Sequence, residues 1–186
     1  QNLSQKTVEL CSAAGIPVIA VDDPLIDGDT LLAPAIQLSA YNVGLTMGEW
    51  LANYINTTYD DVAAVKAEAK ILCLAADTIS ACVPRTDGQI DSFTEALPDW
   101  EDAIIRTDYD STTDGGYDVM AAQIAANPSV KYWFVMAVND EGALGAVRAL
   151  EAANMNADAC VVGAGAYHFD DEIHTNPDTC FKAANF

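Results

Sequence analysis

The sequence predicts an α/β fold, a doubly wound and mostly parallel sheet joined by right-handed crossovers. Three observations carry this expectation. Short, predominantly apolar runs of strand length recur at residues 18–21, 70–76, 132–138 and 160–164. Runs of that kind are what a parallel strand covered on both faces requires. Segments with helical periodicity lie between them, and strand–helix alternation is the pattern of βαβ units. Most of the runs also end in a short polar stretch, as a strand does when it leaves a buried sheet.

Taken in order, residues 3–13 (LSQKTVELCSA) read as a helix with Leu3, Val8, Leu10 and Cys11 apolar, broken by Gly15-Ile16-Pro17. Residues 18–21 read as a strand buried on both faces, ended by Asp22-Asp23-Pro24, and residues 24–34 as a Pro-, Gly- and Asp-rich loop. A second helix spans 41–55, where Gly44 and Gly48 stand one turn apart and allow close packing. A strand at 70–76 is followed by a helix near 85–97, a strand at 103–106 and a helix at 117–126 that Asn127-Pro128 stops. After the strand at 132–138, Asn139-Asp140 caps a helix over 141–153. Strands at 160–164 and 181–184 complete the chain. Residues 38–186 thus supply enough strands for a whole domain, whereas 1–37 read as the end of another. The chain is expected to be a segment of something larger.

Composition narrows the function. Half of the residues are hydrophobic (51%), so the chain has a core to bury. The formal net charge is −20, with 28 acidic against 8 basic residues, which excludes a nucleic-acid-facing surface and disfavours anionic lipid. No apolar run reaches the ~18–20 residues of a membrane span. The 5 cysteines are odd in number and form no Cys-x-x-Cys pair, and Cys73 and Cys160 sit in apolar runs as small hydrophobes. With 2 histidines no zinc site is expected. A disulfide framework is not expected either, although a single bridge involving Cys180 stays open.

In open α/β sheets ligands bind beyond the carboxyl ends of the strands. The residues there are Asp22 and Asp23, the stretch 77–85 ending in Arg85, Asp108 and Asp110, Asn139 and Asp140, then Tyr167, His168 and Asp170. Short polar side chains with one arginine suit a neutral polyhydroxyl ligand. Carboxylates accept hydroxyl protons, a guanidinium donates, and an amide does both. Each residue also has a plainer reading. Asp-Asp-Pro is common turn chemistry, Asn139 is a natural N-cap, and His168 and His174 are surface histidines. Arg85 stands at a helix start where its charge opposes the macrodipole, which favours a role for it. There is no Gly-x-x-x-x-Gly-Lys loop and no Gly-x-Ser-x-Gly elbow, and Gly163-Ala164-Gly165 lacks the third glycine of a dinucleotide fingerprint. No enzyme, cofactor or metal is expected.

Three stretches carry a resemblance: Ile16-Pro17-Val18-Ile19-Ala20-Val21-Asp22-Asp23, Arg85-Thr86-Asp87-Gly88, and the run 139–151 that opens Asn139-Asp140-Glu141-Gly142. With Pro34 and residues 128–133 in the same order, the chain resembles the type I periplasmic binding proteins, above all their arabinose-binding subgroup. That resemblance implies two α/β lobes joined by three hinge strands that close on a sugar, with residues 1–37 the C-terminal part of the first lobe and 38–186 the second. It implies that Asp22 and Asp23 accept sugar hydroxyls, that Arg85 and Asn139 donate, and that Asp170 matches a polar residue. Leu38 and Val138 take positions where the subgroup has methionines, and Tyr167 replaces an asparagine that touches sugar. The family's first strands, with their Lys, Glu and stacking Trp, have no counterpart here, and Trp50, Trp100 and Trp133 read as packing residues. The implied function is the solute-binding component of an ABC-type importer, taking an arabinose-like pentose or hexose and delivering it to a membrane permease. The implied location is periplasmic or extracellular, with lipid anchoring of the full-length protein as one form. The effector-binding domain of a lactose-repressor-type regulator shares the fold and is the alternative, against which the charge and the missing helix-turn-helix count. An α/β enzyme is the third reading, since fold alone does not fix function.

Overall fold

The computed structural model describes residues 3–80 and 82–185 and falls into two units, Gln1–Ser39 and Ala40–Phe186. In the first, α1 (Leu3–Ala13) forms where its periodicity places it. It ends because Gly15 takes a left-handed φ of 69° and Ile16 N–H returns to the Cys11 carbonyl at 2.9 Å. β1 (Ala20–Val21) is shorter than the expected strand. The expectation that residues 18–21 are buried on both faces does not hold: Ile19 and Val21 are 62% and 74% exposed, and only Ala20 is buried. The cause is local. Among the described residues of this unit, β1 pairs with one short parallel strand, β4 (Ala35–Ile36), on one edge only, and no layer covers these side chains. The stretch 24–34 is not an irregular loop either. β2 (Ile26–Asp27) and β3 (Thr30–Leu31) form an antiparallel hairpin, turned by Gly28 at φ 58°.

The second unit opens with α2 (Ala40–Thr58), longer at both ends than predicted, and α3 (Val62–Ala67), too short for its periodicity to show but capped by Asp61. Then follow β5 (Ala69–Ala75), α4 (Val83–Ala96), a 3-10 turn (Pro98–Ala103), β6 (Ile104–Asp108), α5 (Thr113–Ala126) and β7 (Tyr132–Ala137). The chain continues through α6 (Asp140–Ala152), β8 (Ala159–Ala164), α7 (Tyr167–Thr175) and β9 (Phe181–Asn185). α7 escapes sequence inspection because its N-cap, Ala166, has no capping side chain. The strands form one five-stranded parallel sheet in the order β6-β5-β7-β8-β9. From β5 the chain moves first to one side, to β6, and then crosses to the other, to β7. The strand order therefore reverses between β5 and β7.

Strand alternation divides the core into two layers. On one face Trp133 and Val135 of β7 pack with Met120, Val147, Leu150 and Phe181. On the other, Phe134 and Met136 pack with Leu51, Ile55, Phe93 and Trp100. Trp100 and Trp133 are thus core residues, and Trp50 stacks on Tyr54 at 5.5 Å. All five cysteines are free thiols, Cys180 among them. Burial pushes the Cys180 thiol up to about 12, which leaves it unreactive near neutrality.

α2 and α4 meet backbone to backbone through the predicted glycines. A Cβ at Gly44 would strike the Arg85 carbonyl, one at Gly48 the Gln89 carbonyl, and one at Gly88 the Tyr41 carbonyl. This contact fixes the first turn of α4, and with it Arg85, against the sheet. Gly48→Ala is expected to lower unfolding stability by about 1–3 kcal/mol through overpacking, read as a lower urea midpoint at an unchanged slope.

A candidate ligand-binding edge at the strand ends

The reversal of strand order between β5 and β7 makes the carboxyl end of these strands the place where loops diverge and a ligand can enter. Arg85 and Asn139 are delivered there by the connections after β5 and β7. Arg85 lies in the first turn of α4, half-buried, and its Nη1 donates to the Val138 carbonyl. Its Nε is buried and has no partner among the described residues. A carbonyl acceptor explains how a cation is held at a helix start against the macrodipole. Val138 takes part through its backbone, since its side chain is fully buried in the core.

Asn139 caps α6. Its Oδ1 accepts from Gly142 N–H at 2.9 Å and from the Tyr109 hydroxyl, while its Nδ2 donates to the Ser111 carbonyl at 2.9 Å. Burial raises the Tyr109 phenol well above its usual range, so the group stays a neutral donor. Asp140 is fully buried. Its Oδ2 accepts from His168 N–H at 2.9 Å and Phe169 N–H at 3.2 Å, which supplies the cap that Ala166, at φ 64°, cannot give to α7. Its Oδ1 is buried without a partner among the described residues, and a Cβ at Gly163 would lie 2.6 Å from it.

Tyr167, 52% exposed, donates its hydroxyl to Glu141 Oε2 at 2.5 Å. Burial first, and this bond second, raise its phenol above the usual range. Its ring lies 4.8 Å from that of His168. Asp170 sits one turn further along α7, exposed, with His174 Nδ1 3.7 Å away. Asp77 and Asp108, both strand-end acids, are spoken for. Arg106 grips Asp77 with Nε at 3.0 Å and reaches Asp87 at 2.7 Å, and Asp108 accepts the Asp77 N–H at 2.6 Å. The Arg106 hydrogen bond holds the Asp77 carboxyl below the usual carboxylate range, against the opposing effect of its burial.

The structure therefore brings Arg85, Val138 and Asn139 together, and sets Tyr167 beside Glu141 on the same edge. Asp170 stays on α7 of the second unit, and Asp22, Asp23 and Leu38 lie in the first unit. Asp22, at φ 70°, donates its N–H to the Ile36 carbonyl at 2.8 Å, Asp23 donates to the Val21 carbonyl at 3.1 Å, and both side chains are exposed. Leu38 is 58% exposed. Tyr109 escapes sequence inspection because an aromatic after a strand reads as core. The anchoring role of Asp140 escapes it because its partners are backbone groups of a distant helix. Among the described residues no cluster of His, Cys, Asp and Glu has the geometry of a metal site, and no helix is long and apolar enough to cross a membrane.

Known proteins share this architecture. A family model for the periplasmic binding protein domain matches residues 2–168. The chain is 27% identical over 154 residues to the L-arabinose-binding periplasmic protein of Escherichia coli (strain K12), across 80% of this chain and 44% of that protein. It is 29% identical over 150 residues to the ABC transporter L-arabinose-binding periplasmic protein of Azospirillum brasilense, across 79% of this chain and 43% of that one. The chain thus spans less than half the length of these curated relatives. The crystal structure of an ABC transporter periplasmic solute binding protein from Actinobacillus succinogenes 130z with bound D-allose superimposes with a TM-score of 0.70 at 20% identity, over 93% of this chain and 57% of that chain. At that identity the likeness is one of fold.

Asp140 generates a test of its own. Asp140→Ala leaves two backbone N–H groups without an acceptor and is expected to cost about 2 kcal/mol of stability. Asp140→Asn keeps an acceptor oxygen and should cost less, a ranking that urea denaturation of the two variants checks.

Proposed function

The chain belongs to the periplasmic binding protein domain family, and from that premise we propose that it is part of the solute-binding component of an ABC-type monosaccharide importer. The ligand is an arabinose-like pentose or hexose, and capture proceeds without turnover. Two relatives named for L-arabinose binding, at 27% and 29% identity, support the ligand class. The observation that carries the reading is the convergence of Arg85 and Asn139, both hydrogen-bond donors, at the point where strand order reverses. A neutral sugar offers oxygen lone pairs to such donors, and a charge-assisted bond from the guanidinium contributes ~1.5–3 kcal/mol.

In this reading Arg85 and Asn139 donate to sugar oxygens, and Tyr167 and Asp170 border the site. Val138 contributes the carbonyl that orients Arg85. Asp22 and Asp23, exposed in the first unit, accept sugar hydroxyls, and Leu38 adds apolar lining. Residues 1–37 are the C-terminal part of a first lobe and 38–186 a second lobe with the return crossover. The partner is the membrane permease of the importer. The full-length protein works in the periplasm or outside the cell, free or lipid-anchored.

Calorimetry of the full-length protein with L-arabinose tests this. Arg85→Ala and Asp23→Ala are each expected to weaken binding by at least ~1.5 kcal/mol, the scale of one charge-assisted bond. Wild-type affinity in both variants overturns the site assignment.

A further inference from the structure

We infer that Tyr109 is a positioning residue that makes Asn139 a one-way hydrogen-bond donor to the sugar. The inference rests on the reading of Asn139 as a sugar contact and adds what that contact can recognise.

A primary amide carries an acceptor oxygen with two lone pairs and two N–H donors. At Asn139 two partners of fixed polarity set the orientation of the group. Gly142 N–H can only donate, and it faces Oδ1 at 2.9 Å. The Ser111 carbonyl can only accept, and it faces Nδ2 at 2.9 Å. The Tyr109 hydroxyl then donates to the same Oδ1 and takes its second lone pair. Oδ1 is thereby saturated, and one Nδ2 hydrogen is the remaining polar function of the side chain. Tyr109 is held for this task. It is 6% exposed, packed in the core beside Val138 and Ala143, and burial keeps its phenol protonated. Space for its hydroxyl exists because residue 142 is glycine: a Cβ there would overlap Tyr109 Oη.

With Asn139 limited to donation and Arg85 able only to donate, these two residues together read lone pairs on the ligand and ignore its hydroxyl protons. Without the Tyr109 hydroxyl, Gly142 and Ser111 still orient the amide, but Oδ1 regains an open acceptor site that water or a sugar hydroxyl can fill, and one of the three hydrogen bonds that hold the group is lost.

The test is a double-mutant cycle in the full-length protein, with calorimetric titration of L-arabinose and circular dichroism to check folding. Tyr109→Phe preserves the ring and is expected to weaken binding about fivefold, the worth of one hydrogen bond of ordinary strength. In an Asn139→Ala background the same substitution is expected to change affinity little, because the group it positions is gone. Gly142→Ala, which displaces the hydroxyl while both side chains remain, should reproduce the loss. Unchanged affinity in Tyr109→Phe, or an equal loss in both backgrounds, overturns the role of Tyr109 while leaving Asn139 as a contact. Asn139→Ala with wild-type affinity overturns the reading of Asn139 as a sugar contact, and a wild-type protein that binds neither L-arabinose nor any other pentose or hexose overturns the functional reading itself; either result removes this inference.

Discussion

Two adjacent side chains at the end of β7 hold the carboxyl edge of the sheet in register. Asn139 turns toward the connection after β6, where it meets Tyr109 and Ser111. Asp140 turns toward the connection after β8, where it caps α7. The carbonyl of the preceding residue, Val138, receives Arg85 from the connection after β5. One tripeptide therefore locates three loops, and each functional group at this edge is placed relative to it. β7 can serve as the reference because it lies at the centre of the sheet, with both its layers fully packed. A backbone that cannot shift gives its neighbours fixed partners.

The same economy applies to Arg85 from below. The glycines of α2 and α4 bring two helix backbones into contact, so the first turn of α4 has little freedom. A guanidinium carried on so constrained a helix start needs few contacts of its own to stay directed. This matters for recognition, because donors that are already oriented lose little entropy when a ligand arrives. The surface acids play a different part. Asp77, Asp87 and Asp108 are consumed in the network around Arg106, at exposures where ion pairs contribute little stability, so their effect is to shape the rim. Cys73, Cys160 and Cys180 are buried, and burial raises each of these thiols, so they stay protonated near neutrality.

Much of this was legible in the amino-acid order. Apolar runs fixed the parallel strands of the second unit, the Gly44–Gly48 spacing announced a close helix contact, and Asn139 was evident as a cap because a cap is a local event. Legibility failed where the deciding partner is remote in sequence. The run 18–21 has the composition of a buried strand, but burial depends on what covers it, and among the described residues of its unit one strand pairs with it. Gly28 concealed a hairpin inside a stretch whose composition reads as loop. α7 has no capping side chain of its own, so its start could not be seen until Asp140, 28 positions away from His168, was known to supply the cap.

What the sequence determined alone was therefore the class of fold, the order of elements, and a short set of polar residues at strand ends, since these follow from periodicity and from chemistry within a few residues. Tertiary structure alone decided what those residues are free to do. It showed that Asp77 and Asp108 are occupied, that Val138 acts by its carbonyl, and that Asn139 has its oxygen already engaged. The reason is physical. Hydrogen-bonding capacity belongs to the side chain, but the part of it left for a ligand is whatever the folded neighbours have not taken.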